Sequence, residues 1–221
     1  MTITETTLTE GHRYATKTLT RIVEGKTITV GTSAHHDLVS GGKSSQAQVM
    51  VDDAIALSKV LRVTGETCEA VITFGDALGG GTLKLHWRLA DAGDAMSAEA
   101  TGEWNGAALA PVALRIPKDG DRDTPSCDGL KDMPTLTLAD GGAVEGGMAD
   151  EATAKALASF AKEIEVPKRD RSSLCVAGCT AAAAACAIAC AGGALTPAAP
   201  VTPLCAAGCV ALESACMAAC V

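Results

Sequence analysis

The chain has 221 residues and a mass of 22.2 kDa, room for one ordinary domain with an appendage or for two small domains, and little for a multi-domain enzyme. Apolar content of 48% excludes a disordered chain, and a net charge of −8 with pI near 5.0 argues against an electrostatic nucleic-acid binder. Two Trp, two Phe and one Tyr are too few for a base-stacking platform, so no nucleic-acid partner is expected.

Residues 1–25, MTITETTLTEGHRYATKTLTRIVEG, are polar throughout, without the apolar run of an ordinary secretory leader. Up to about residue 147 short apolar or alternating runs are separated by Gly, Asp and Asn, the punctuation of a mainly β domain. Thr27 to Thr32, Cys68 to Phe74, Thr82 to Leu89, Ser97 to Trp104 and Val112 to Ile116 are the strand candidates. Asn105-Gly106 predicts a hairpin, since both residue types accept the positive φ of a type I′ turn. Gln46 to Arg62 fits neither the helical nor the strand period, and its length leans to helix. Asp150 to Glu165 reads as a helix, with Asp150 or an adjacent residue as N-cap and an apolar stripe of Ala154, Leu157, Phe160 and Ala161. It stops before Pro167, and Pro167-Lys168-Arg169-Asp170-Arg171 is a charged joint.

All 18 Lys and Arg lie at or before Arg171. The last 50 residues hold no base, one acid (Glu213), 18 Ala and 8 of the 10 Cys. This tail repeats at a spacing of 30 residues: Leu174 to Cys190, LCVAGCTAAAAACAIAC, matches Leu204 to Cys220, LCAAGCVALESACMAAC, at 10 of 17 positions. Gly192, Gly193, Pro197, Pro200 and Pro203 interrupt the helix between the copies, so two helices and a turn are expected. The expected class is α+β: a mainly β N-terminal domain with one or two helices, then a Cys-rich antiparallel helical hairpin. Its divisions are residues 1–166, ending in a helix at about 150–165, a linker at 167–173, and the hairpin at 174–221, with helices at 174–191 and 204–220.

Within each copy the Cys fall at relative positions 0, 4, 11 and 15, which at about 100° per residue place all four on one narrow stripe. The 4, 7, 4 spacing is a palindrome, so two antiparallel stripes match rung for rung. The fully nested pairing is Cys175 to Cys220, Cys179 to Cys216, Cys186 to Cys209 and Cys190 to Cys205. A disulfide needs Cα atoms about 5.5 to 6 Å apart, closer than usual helix packing, and the Ala and Gly beside the seam allow that approach. Cys68 and Cys127 either form a fifth bridge or stay buried thiols. If the tail is reduced, its eight Cys instead suit Cu(I) or Zn, and a cytoplasmic thiolate metal binder is the alternative. Leu174 to Leu195, which is uncharged, and Pro203 to Val221, which has one Glu, are about long enough to span a bilayer, but Ala, Gly and Cys insert poorly. A water-soluble stapled hairpin that presents its outer face to a partner protein or membrane surface is the favoured reading.

Three weaker motifs resolve to plain roles. Gly42-Lys43-Ser44 ends like a P-loop, but Asp37 stands where its first Gly belongs, so a flexible turn is expected. Asp119, Asp121 and Asp123 imitate an EF-hand start without the later Gly and Glu, which leaves a solvated acidic loop. His35-His36-Asp37 reads as a polar loop. No paired carboxylates, Ser/His/Asp set or dinucleotide fingerprint is identifiable, so no enzyme and no catalytic residue is expected, and no cofactor beyond the alternative metals.

The layout of Leu174 to Val221, a short uncharged Cys-rich helical piece joined at a basic site to a longer N-terminal domain, resembles that of halocin-type bacteriocin precursors. The resemblance implies an antimicrobial C-terminal peptide, an N-terminal part acting in immunity or processing, and cleavage near Lys168, Arg169 and Arg171. The expected function is a non-enzymatic two-part protein, secreted by a non-classical route, whose hairpin is the effector or interaction module. A structural subunit of an extracellular or viral assembly is a further alternative.

Overall fold

The computed structural model describes residues 2–91, 95–117, 136–144, 150–163, 175–193 and 203–218. Its sheet is an antiparallel meander of β1 (Thr2–Thr9), β2 (His12–Val23), β3 (Lys26–Asp37), β4 (Lys43–Val51), β5 (Ala54–Thr64), β6 (Thr67–Phe74), β7 (Gly81–Asp91) and β8 (Ala95–Trp104). The two-residue β9 (Ala107–Ala108) folds back on β8, and β10 (Val112–Pro117) pairs with β8 and ends the sheet. All five expected strands lie within this sheet. Asn105 and Gly106 form the expected turn, with φ of 49° and 85°, and set Trp104 opposite Ala107.

Gln46 to Arg62 is a correction: it is no helix but β4, a turn and β5. Asp52 and Asp53 take φ of 49° and 67°, which joins the two strands by a two-residue hairpin turn. The pairing shifts between Val49 and Met50, so that Ala56 is an extra residue on β5 and both Ala56 and Leu57 are buried. Turn and bulge each reset the inward row, which is why no single period spans the segment. His35-His36-Asp37 is likewise strand, not loop. His36 points into the core while its neighbours face outward, and burial, with Lys43 and Arg13 nearby, pushes its pKa below the ordinary value. The turn beyond it is tied by Asp37, whose Oδ1 accepts from the backbone N–H of Val39 (2.9 Å) and Ser40 (3.1 Å). These bonds and one from the Ser40 hydroxyl hold the Asp37 carboxyl down to about 2. Gly41 and Gly42 belong to this turn, before Lys43 opens β4.

Three helices cover one face of the sheet. α1 (Glu151–Glu163) begins at Asp150, whose Oδ2 accepts from the Thr153 N–H (3.0 Å) and hydroxyl (2.7 Å), the expected N-cap. It buries Ala154, Leu157 and Phe160, with Ala161 partly buried against the core. α2 (Cys175–Gly193) lies on β3 and β4 between α1 and α3, and α3 (Pro203–Ala218) lies over β5, β6, β7 and β10. Residues 182–188 of α2 are all buried, as expected of a helix enclosed on every side. One hydrophobic core joins Leu61, Ile72 and Trp87 of the sheet to Phe160 of α1, Ile188 of α2 and Met217 of α3. The hairpin expected as an appendage therefore packs as the middle of the protein. Lys168, Arg169, Arg171, the Asp119 to Asp123 run and Cys127 lie outside the described residues.

Candidate functional site

The α2–α3 seam is a covalent ladder. Cys179 is joined to Cys216, Cys186 to Cys209 and Cys190 to Cys205, each with Cα atoms 5.8 Å apart. That spacing lies inside the disulfide range and well inside the usual distance between helix axes, so the seam has to be lined by small residues. Ala182, Ala183, Ala185, Ala206 and Ala207 are buried there or nearby. The remaining pair, Cys175 with Cys220, includes a residue outside the described ones. Neighbouring rungs approach closely: Sγ of Cys190 lies 3.5 Å from Sγ of Cys209, and the sulfurs of Cys186, Cys190 and Cys209 lie within 4.8 Å of one another.

Of the two cysteines outside the tail, Cys127 lies outside the described residues and Cys68 is described. It sits on the inward row of β6 as a free, buried thiol with Sγ directed at the Glu66 carbonyl oxygen. Burial pushes the thiol up to about 11, only partly opposed by a hydrogen bond with Ser214, so it stays protonated near neutral pH.

Below the ladder is a polar cluster that the spacing of residues did not reveal. Glu213, the only charge in the last 50 residues, is fully buried at 0% exposure. Its Oε2 accepts from Lys59 Nζ of β5 and its Oε1 from the Ser45 hydroxyl of β4 at 2.7 Å, while Lys59 Nζ also donates to Ser45 Oγ at 3.2 Å. The next residue, Ser214, accepts from Trp87 Nε1 at 3.2 Å. Copy one of the repeat carries Ala183 and Ala184 at the matching places, both buried and apolar. The pair of residues in which the copies differ most in polarity is thus the pair that grips the sheet. Burying both ions costs several kcal/mol each, roughly returned only because both carboxylate oxygens are hydrogen-bonded.

Sequence could have exposed half of this arrangement. Glu213 stands out as a lone acid in an uncharged helix, and such a residue is either exposed or paired. Lys59 was hidden inside the segment read as helical. As a strand, its alternation of Leu57, Lys59, Leu61 and Val63 puts a lysine on an apolar row, which is the signal.

Among the described residues, no helix is long and apolar enough to cross a membrane. Comparison with protein-family models, curated proteins and solved structures finds no match.

Proposed function

We propose that this is a non-enzymatic two-part protein in which the β sheet carries and sequesters a disulfide-stapled helical hairpin, and that the hairpin is the effector, directed at a membrane or a partner protein. The observation that carries the reading is the burial of α2, together with the Lys59–Glu213 pair that ties α3 to β5. An interaction module that must act elsewhere needs a holder for its uncharged surface, and the sheet, α1 and one ion pair supply it. The staples keep the hairpin's shape once it leaves that holder. Three cysteine pairs at disulfide distance suit an oxidising, extracellular setting. Cleavage at Lys168, Arg169 and Arg171 cuts the covalent tie, and breaking of the Lys59–Glu213 contact at the target then frees the hairpin, which completes the bacteriocin-like scheme.

The test is a site-specific protease sequence placed at residues 168–171. Cut protein should stay as one species in gel filtration, whereas cut Glu213→Ala protein should shed the oxidised hairpin. The shed hairpin should empty dye-filled phosphatidylcholine vesicles or bind a partner, and intact protein should do neither. Equal activity of intact and released forms would count against sequestration.

A second reading has its own observation. On reduction, the three clustered sulfurs of Cys186, Cys190 and Cys209, with Cys205 beside them, become a thiolate set for Cu(I) or Zn, and the protein a cytoplasmic metal binder. Metal analysis of anaerobically purified, reduced protein tests it; absence of Cu and Zn rejects it.

A further inference from the structure

The sheet face turned away from the helices is divided by charge. Over β6 to β8 it carries ion pairs: Glu69 with His86 at 3.7 Å, Lys84 with Glu103 at 3.4 Å, and Arg88 with Glu66 at 2.7 Å. Over β2 to β5 it carries a depression of about 370 Å³ whose outward side chains are uncharged. Two cross-strand rungs build it: Thr16, Ser33, Gln46 and the apolar Val60, then Thr18, Gly31, Gln48 and Ser58. Gly31 stands in the second rung, and the missing side chain deepens the floor. None of the six polar side chains hydrogen-bonds another described residue, so their donors and acceptors are open to a ligand.

The adjoining rung on the same face is aromatic. Tyr14 and His35 are directly opposite and stacked, with ring centroids 4.5 Å apart and planes 15° apart. His12 stacks on His35 in turn, with a 3.2 Å contact between ring nitrogens that fixes the rings together. Tyr14 is 42% exposed, although an aromatic ring normally hides. At one margin, by register, stands Arg62 opposite Ser44.

We infer that this depression is a binding site for a neutral carbohydrate chain. Hydroxyls and carboxamides both donate and accept, which matches the alternating donors and acceptors of sugar hydroxyls. The Tyr14–His35 stack offers a flat apolar rest for the less polar face of a sugar ring. An anionic ligand meets no free cation, since Lys59 of the lining turns its ammonium inward to Glu213, and an apolar one would strip water from six polar groups. The depression crosses four strands, about 14 Å at the usual strand spacing, so it suits an oligosaccharide better than a single sugar. The site is on the face opposite the hairpin and is independent of the hairpin's role.

Affinity electrophoresis of the full chain in native gels containing dextran, mixed-linkage β-glucan or galactomannan tests it. At least one of these should retard the protein, and carboxymethyl dextran should retard it less than dextran does. Gly31→Arg should weaken retardation at least tenfold. This variant keeps the fold, because Gly31 has no positive φ and a Cβ there meets nothing within 4 Å. Tyr14→Ala should weaken retardation too, and Lys84→Gln on the charged half should leave it unchanged. No retardation in any of the three neutral gels, or undiminished retardation of folded Gly31→Arg protein, overturns the assignment.

Discussion

Glu213→Ala leaves Lys59 buried without its counter-charge, and the expected loss is about 3–5 kcal/mol of unfolding free energy. Lys59→Met combined with Glu213→Leu removes both charges and should recover most of that loss. Urea unfolding of the oxidised proteins measures both; equal stability of the single and the double variant would show that the pair is no lock. The tail's lone acid is plain in the sequence, whereas its partner is not. Lys59 is legible only once β5 is known to be a strand, and Ser45 only once β4 pairs with it. Ser214 gives no sign of its own except that Ala184 stands at the same place in the other copy.

At the level of elements, the β4–β5 turn separates two aspartates that look alike. Asp53 gains nothing evident from its positive φ, so Asp53→Gly should stabilise by up to about 1 kcal/mol. Asp52 uses its side chain: Oδ1 accepts from Thr27 N–H at 2.8 Å and Oδ2 from Lys26 at 3.1 Å. Asp52→Gly should therefore destabilise, and thermal unfolding midpoints moving in opposite directions for the two variants would verify this. The helical hairpin makes a different prediction. Full reduction should lower the unfolding free energy by at least about 3 kcal/mol, the entropic worth of closing the 15-residue innermost loop, while the sheet's circular-dichroism signal persists. These elements were unequally readable. α1 follows from its apolar stripe and cap, α2 and α3 from the repeat and the Gly and Pro between its copies, and the five apolar strands from their short apolar runs. β2 was opaque, because its outward row is Thr16, Thr18 and Thr20 and its inward row, Ala15, Lys17 and Leu19, is scarcely more apolar. It is a strand by virtue of its neighbour β3, and partner strands leave no trace in local sequence.

For the whole molecule, acid is the natural stressor. Asp37, Asp52, Asp150 and Glu24 all have carboxyls below their ordinary range, through hydrogen bonds with Ser40, the Thr27 backbone, Thr153 and Lys155 respectively. A carboxyl lowered in the folded state contributes stability that is complete above its unfolded value near 4 and is lost as pH falls through the folded value, which for Asp37 is about 2. His36, also lowered, adds a loss that begins as pH falls below about 6.5. Melting temperatures should thus decline gently from pH 6.5 and steeply between pH 4 and 2; a flat profile over that lower range would contradict the carboxylate contacts. The division of the chain into a charged part and an uncharged tail was visible in composition, yet their common core was not, since composition does not say what a surface is buried against.

The palindromic spacing of the cysteines carries an ambiguity. A ladder that reads the same in both directions, on two near-copies of one helix, is almost indifferent to a half-turn that exchanges α2 and α3. The staples would close equally well with either helix above β3 and β4. Glu213 and Ser214 break the tie, because one orientation brings a carboxylate to Lys59 and the other brings Ala183. The repeat supplies the symmetry, and two residues that differ between its copies turn it into an address.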